Sequence, residues 1–140
     1  MSSESSARER KKMDLNQLSS LIIKAAINVH KELGPGLLEA VYQACMVIEL
    51  KKMGIKAQSE VPIEIFYNGQ KINDAGFRID LLVDDTIIVE LKSVSQVQDI
   101  HKKQLLTYLR LAKKPLGLLI NFNEVLLKNG ITRIINSQKD

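Results

Sequence analysis

The stretch Phe77-Arg78-Ile79-Asp80-Leu81-Leu82-Val83-Asp84-Asp85-Thr86-Ile87-Ile88-Val89-Glu90-Leu91-Lys92 constrains this chain most. Two runs of Ile, Leu and Val flank a short polar connection, which predicts two strands and a tight turn. An Asp lies in the first strand and a Glu-x-Lys in the second. A carboxylate is costly in a strand that otherwise buries apolar side chains. Lys92 shares a face with Glu90, because strand side chains alternate. Asp and Glu are hard oxygen ligands suited to Mg²⁺ or Mn²⁺. Two carboxylates and an ammonium on one face can hold such an ion, orient a water and stabilise charge on a phosphate. The same groups can equally form a cross-strand ion pair at a sheet edge. The hairpin alone leaves both readings open.

Connection length decides whether the carboxylates can meet. A two-residue turn at Asp84-Asp85 pairs Val83 with Thr86 and sends Asp80 and Glu90 to opposite faces. A three-residue loop, Asp84-Asp85-Thr86, pairs Val83 with Ile87 and sets Asp80 opposite Glu90. Such loops often carry a left-handed residue, which Asp tolerates better than most. The expectation is therefore an odd-length connection or a bulge. Ile79, Leu81, Val83, Ile87, Val89 and Leu91 should then share the opposite, core-packed face.

Around this hairpin the chain reads in order. Asp14 is a plausible cap for a helix with Leu18, Leu21, Ile22, Ala25, Val29 and Leu33 on one face, stopped by Gly34-Pro35-Gly36. His30, near its end, reads as a surface or cap histidine. A second helix runs from about Leu37 to Met53, with Leu38, Val41, Cys45 and Ile48 toward the core and Gly54 behind it. Residues 55–67 read as strand, Pro62 marking an edge. Asn68-Gly69 is a strong hairpin signal, and a break is expected at Ala75-Gly76. A third helix, capped by Ser95 or Asp99, should bury Ile100, Leu105, Tyr108, Leu109 and Ala112. His101 reads as surface. Leu116–Phe122 suits a strand buried on both faces. Val125–Leu127 and Ile131–Ile135 suggest a hairpin around Asn129-Gly130.

Asp80 followed by Glu90-Leu91-Lys92 resembles the core motif of the PD-(D/E)xK nuclease superfamily. Gly36-Leu37-Leu38-Glu39-Ala40-Val41-Tyr42 resembles the motif of the GxxExxY protein family, a branch of it. Gln104–Leu109 and Gly117–Phe122 resemble later blocks of that family, so the likeness runs from about Leu15 to Ile135. Ile79 stands where the superfamily has its Pro. The resemblance implies an α/β, restriction-endonuclease-like fold, a mixed central sheet flanked by helices. It implies a metal-dependent nuclease with Asp80 and Glu90 on Mg²⁺ or Mn²⁺ and Glu39 direct or through water. Lys92 would position the attacking water or neutralise charge, and Gln104 would orient Lys92 or a water. The partner would be DNA or RNA. The other reading on the same fold is a non-catalytic domain that binds nucleic acid or protein.

At 140 residues, 45% hydrophobic and 26% charged, the composition suits one globular domain, expected over residues 14–136 with the last four residues frayed. No apolar run reaches the ~18 residues of a membrane helix. Residues 1–13 lack periodicity and read as a disordered basic tail, not a secretory signal. That tail carries four basic against two acidic residues, half of the chain's net +4. The body is thus only mildly basic, so bulk charge argues little for a polyanion. Cys45 is the single cysteine, which excludes an internal disulfide and fits a reducing cytoplasm. Zinc spacing, a P-loop and GxGxxG are absent. A homo-oligomer is left open.

Overall fold

The computed structural model describes residues 13–72 and 77–137. The expectations for residues 1–12, for a break at Ala75-Gly76 and for fraying over residues 138–140 of the last four lie outside them. Met13 is described, and it packs half-buried against the core. No helix among the described residues is long and apolar enough to cross a membrane.

Helix α1 spans Leu15–Leu33. Asp14 caps it: its carboxylate accepts from the Gln17 amide at 2.8 Å, and the Gln17 side chain accepts from the Asp14 amide. This reciprocal pair satisfies two donors that a helix start would leave bare. Helix α2 spans Glu39–Lys52 and helix α3 spans Asp99–Ala112. The strands are β1 (Ala57–Pro62), β2 (Ile65–Tyr67), β3 (Gln70–Ile72), β4 (Arg78–Val83), β5 (Ile87–Lys92), β6 (Leu116–Asn121) and β7 (Ile131–Ile135). Five of them form one sheet in the order β1-β4-β5-β6-β7, and β2-β3 pair on their own. Only β5 and β6 run parallel, joined through α3; the other pairs are antiparallel.

Both faces of the sheet are covered. Leu81, Val83, Ile87, Val89 and Leu91 pack with Leu118 and Ile120 under α1 and α2. Leu82, Ile88 and Leu119 pack on the other face against Leu105, Tyr108 and Leu109 of α3. This is the expected mixed α/β layer, and β6 is buried at every position.

The β4–β5 register is the one expected from a three-residue loop. Val83 pairs with Ile87 and Leu81 with Val89, and Asp84 and Asp85 take left-handed φ values of 51° and 53°. One residue departs: Ile79 packs on the α3 face instead of joining Leu81 and Val83. The cause lies in its partner strand. The β1–β4 ladder keeps one register on both sides but is interrupted where Glu60 faces Asp80, and Glu60 has φ 54°. Ala57 packs under α1 and α2, whereas Val61, of the same parity, packs under α3. The β1–β4 ribbon therefore turns over at Glu60–Asp80.

Other expectations are corrected. α2 buries Tyr42, Met46 and Leu50, while Leu38 is 77% exposed and Val41 and Ile48 are exposed too. Apolar residues encircle this helix, so periodicity could not choose its inner face. The strand expected over residues 55–67 breaks into β1 and β2, with Pro62 the last residue of β1 and the Ile63 amide still bonded to the Phe77 carbonyl at 3.0 Å. α3 is preceded by Gln98 as its cap, whose amide donates to His101 Nδ1 at 3.0 Å. His101 is thus a capping partner, and Ile100 is exposed. His30 is half-buried, and its Nε2 hydrogen-bonds the Glu124 carbonyl at 2.7 Å. No strand forms at Val125–Leu127. A 3-10 turn, Leu127–Gly130, leads into β7, which pairs with β6. The Asn68-Gly69 hairpin is as expected, with Tyr67 opposite Gln70.

Candidate functional site

Asp80 and Glu90 exchange bonds that a regular ladder would make between carbonyls and amides. The Asp80 amide donates to Glu90 Oε2 at 2.8 Å. The Leu91 amide donates to Asp80 Oδ2 at 2.8 Å. The carbonyl–amide pairing of β4 with β5 ends at Leu81 and Val89. Beyond that point the two carboxylates take over, which fixes both side chains between the strands. The second oxygen of each, Asp80 Oδ1 and Glu90 Oε1, has no protein partner among the described residues, and neither is sealed from solvent.

The electrostatics are those of a crowded, half-dry site. Burial pushes the Glu90 carboxyl up to about 8, and the Asp80 charge adds to the shift. The Asp80 amide and Lys92 oppose it. Glu90 is 7% exposed. Burial also raises Asp80, against the Leu91 amide and Lys92, with Glu39 and Glu60 adding to the rise. Burial thus outweighs carboxylate repulsion at both residues. As a coupled pair, both carboxyls are shifted toward their protonated forms.

The remaining residues arrive from separate elements. Lys92 ends β5 beside the pair and forms no ion pair among the described residues, and the Phe122 amide donates to its carbonyl at 2.8 Å. Glu39 begins α2, is exposed, and its Oε2 accepts from the Ser93 amide at 3.1 Å. It therefore stands at the Lys92 end of β5, and its charge is felt at Asp80.

Tyr42 sets that position. Its hydroxyl donates to the Gly34 carbonyl at 2.6 Å and accepts from the Leu37 amide at 3.1 Å. Its ring stacks on Phe122 with centroids 4.3 Å apart, a contact worth about 1 kcal/mol beyond burial. The turn before α2 is thereby pinned to the core, and Gly36 supplies a φ of 92° there. In Gly36-x-x-Glu39-x-x-Tyr42, the glycine and tyrosine shape the bend and the glutamate faces the site.

Gln104 is exposed on α3 and hydrogen-bonds none of these groups. Tyr108, one turn later, borders the pair: burial raises its hydroxyl pKa, and the charges of Glu90 and Asp80 add to that. Sequence reasoning missed Glu60, whose charge reaches both carboxylates. No local signal marks it, because its place depends on the turnover opposite Asp80. It also missed Asn121, whose Oδ1 accepts from the Val94 amide at 3.1 Å while Nδ2 donates to the Val94 carbonyl at 2.9 Å. This fully buried amide holds the loop that follows Lys92.

A hard divalent cation fits this donor set. Two open carboxylate oxygens stand at one place, with no soft ligand beside them. Among the described residues, no group of three or more His, Cys, Asp or Glu side chains is gathered to enclose an ion. Glu39 stands off, held by Ser93.

The model of the PD-(D/E)XK nuclease superfamily matches residues 16–134. The chain belongs to the PD-(D/E)XK nuclease superfamily. Comparison with curated proteins and with solved structures found no match. The five-stranded mixed sheet flanked by helices is consistent with the restriction-endonuclease-like fold of this superfamily, and membership points to nuclease-like chemistry on a nucleic-acid substrate.

Proposed function

We propose that this member of the PD-(D/E)XK superfamily is a Mg²⁺- or Mn²⁺-dependent nuclease of the GxxExxY type that hydrolyses phosphodiester bonds in DNA or RNA. The observation that carries the reading is the reciprocal Asp80–Glu90 exchange, which leaves one oxygen of each carboxylate open beside Lys92. Asp80 and Glu90 would hold the ion, with Glu39 reaching it through water. An ion bound there supplies Lewis-acid polarisation of the phosphate. The two amide bonds hold the carboxylates aimed, so little reorganisation is needed on binding. Lys92 places an ammonium where negative charge builds on the phosphate, and orients the attacking water. Gln104 is assigned a supporting contact to Lys92 or to a water. The site belongs in the cytoplasm, where Cys45 stays reduced.

Titration calorimetry with Mg²⁺ and Mn²⁺ tests the site. The wild type should bind an ion, and Asp80→Asn should lose at least tenfold in affinity. Cleavage of a DNA and RNA panel by the wild type alone then establishes the activity. A second reading on the same fold is a domain that binds nucleic acid or protein without cutting. Ion binding with no cleavage across the panel would support it.

A further inference from the structure

We infer that the β2–β3 hairpin and its root form a stacking surface for unpaired bases, so that the strand reaching the Asp80–Glu90 site is single-stranded nucleic acid. The inference rests on the nuclease reading and goes further by naming the form of the substrate. The chain has three Phe, three Tyr and no Trp. Tyr42, Tyr108 and Phe122 are buried. The other three aromatics are exposed, Phe66 by 58%, Tyr67 by 69% and Phe77 by 39%. All three lie within one short stretch, on the hairpin or where it rejoins β4. Aromatic side chains dominate cores and interfaces because of the area they bury. Exposing half of a small supply in one place calls for something to cover them.

Among the described residues, Phe66 and Tyr67 remain mostly uncovered and Phe77 partly so. β2 and β3 are not hydrogen-bonded to the main sheet, and a lone two-stranded hairpin has little stability of its own. Side chains alternate along β2, so Phe66 and Tyr67 project from its two faces, Phe66 opposite Lys71 and Tyr67 opposite Gln70. Lys71 is ion-paired with Glu64 at 3.3 Å, so the hairpin presents rings rather than free positive charge to a strand. The root leads to the carboxylates. The Ile63 amide donates to the Phe77 carbonyl at 3.0 Å, tying the two ends of the hairpin together. The Phe77 ring meets Tyr108 edge-on at 6.0 Å, and Tyr108 borders Asp80 and Glu90. Arg78, exposed, opens β4 two residues before Asp80. Rings stack only on bases whose faces are free, and the mildly basic body favours stacking over the heavy phosphate neutralisation that duplexes need.

The test uses the full chain in EDTA, so that binding is read apart from cleavage. Anisotropy of a labelled twelve-residue oligo(dT) should show tighter binding than to a duplex of the same length. Phe66→Ala with Tyr67→Ala should weaken binding roughly 5- to 150-fold, while Val125→Ala, on the exposed loop before β7, leaves it within about twofold. A second variant guards against misfolding. Phe66→Trp introduces the only tryptophan, whose emission should be quenched by oligo(dT) and not by duplex. Unchanged emission at saturating strand, or equal binding by the double alanine variant, would overturn the inference and give the exposed rings to a protein contact. If stacking is observed but Asp80→Asn changes neither ion binding nor cleavage, the nuclease reading fails and the hairpin assignment stands.

Discussion

Glu90 carries a carboxyl whose folded pKa, about 8, lies above its unfolded value. The folded state then binds more protons than the unfolded state between roughly pH 4.5 and 8, so stability falls across that window as pH rises. The contribution is present in full below the unfolded pKa and is lost by the folded one. Glu90→Gln should flatten the melting temperature between pH 5 and 9 and raise it at pH 8.5, with a gain on the order of a few kcal/mol. Thermal melts across pH check this; an unchanged slope in the variant would assign the dependence elsewhere. Divalent ions must displace the same proton, so their affinity should rise over this range. Tyr42 admits an equally local test. Tyr42→Phe keeps the stack on Phe122 but strips the Gly34 carbonyl and Leu37 amide of their partner. It should cost about 1–2 kcal/mol and weaken ion binding through Glu39, as denaturant melts and calorimetry would show. Asp80, Glu90 and Lys92 were legible because strand parity and their cost in an apolar run both flag them. Glu60 was not, since its role arises from a turnover shared with another strand.

Among the elements, the loop between β6 and β7 leaves little room at Gly130. A Cβ on Gly130 would lie 2.5 Å from the Asn121 carbonyl oxygen, a backbone atom with little room to move. Gly130→Ala should therefore cost about 1–3 kcal/mol and disturb the Asn121 bonds that hold the segment after Lys92. A drop in denaturation midpoint with slower cleavage is the expected result, and an unchanged midpoint would show that the turn adapts. This loop was misread as a hairpin because Asn129-Gly130 is a turn signal in either setting. Its partner strand decides the matter: β7 pairs with β6, which leaves Val125 and Leu126 nothing to pair with. α2 failed for another reason. Its apolar residues occupy most of its circumference, and only the stack of Tyr42 on Phe122 selects the buried side. α1, with one apolar stripe and a full cap, offered no such ambiguity.

At the scale of the whole molecule, helices cover both faces of one sheet, and the strand that bears Glu90 is apolar toward each. β5 is buried from Ile87 through Leu91. The mixed layer was legible from the order of periodicities, and the parallel β5–β6 pair follows from an intervening helix. The three-residue loop at Asp84–Thr86 has a further consequence, for how this chain tolerates insertions. A surface loop ordinarily accepts extra residues at small cost. Here its length sets a phase. One residue inserted after Asp85 should put Asp80 out of step with Glu90, while two should restore them. The core is almost blind to this change, since Leu82 and Ile88 serve one side as well as Leu81 and Val89 serve the other. Single insertions should leave a cooperative melt within about 5 °C of the parent yet abolish ion binding, and double insertions should recover it. Loop length here is a setting with odd and even values, read by the chemistry and ignored by the fold.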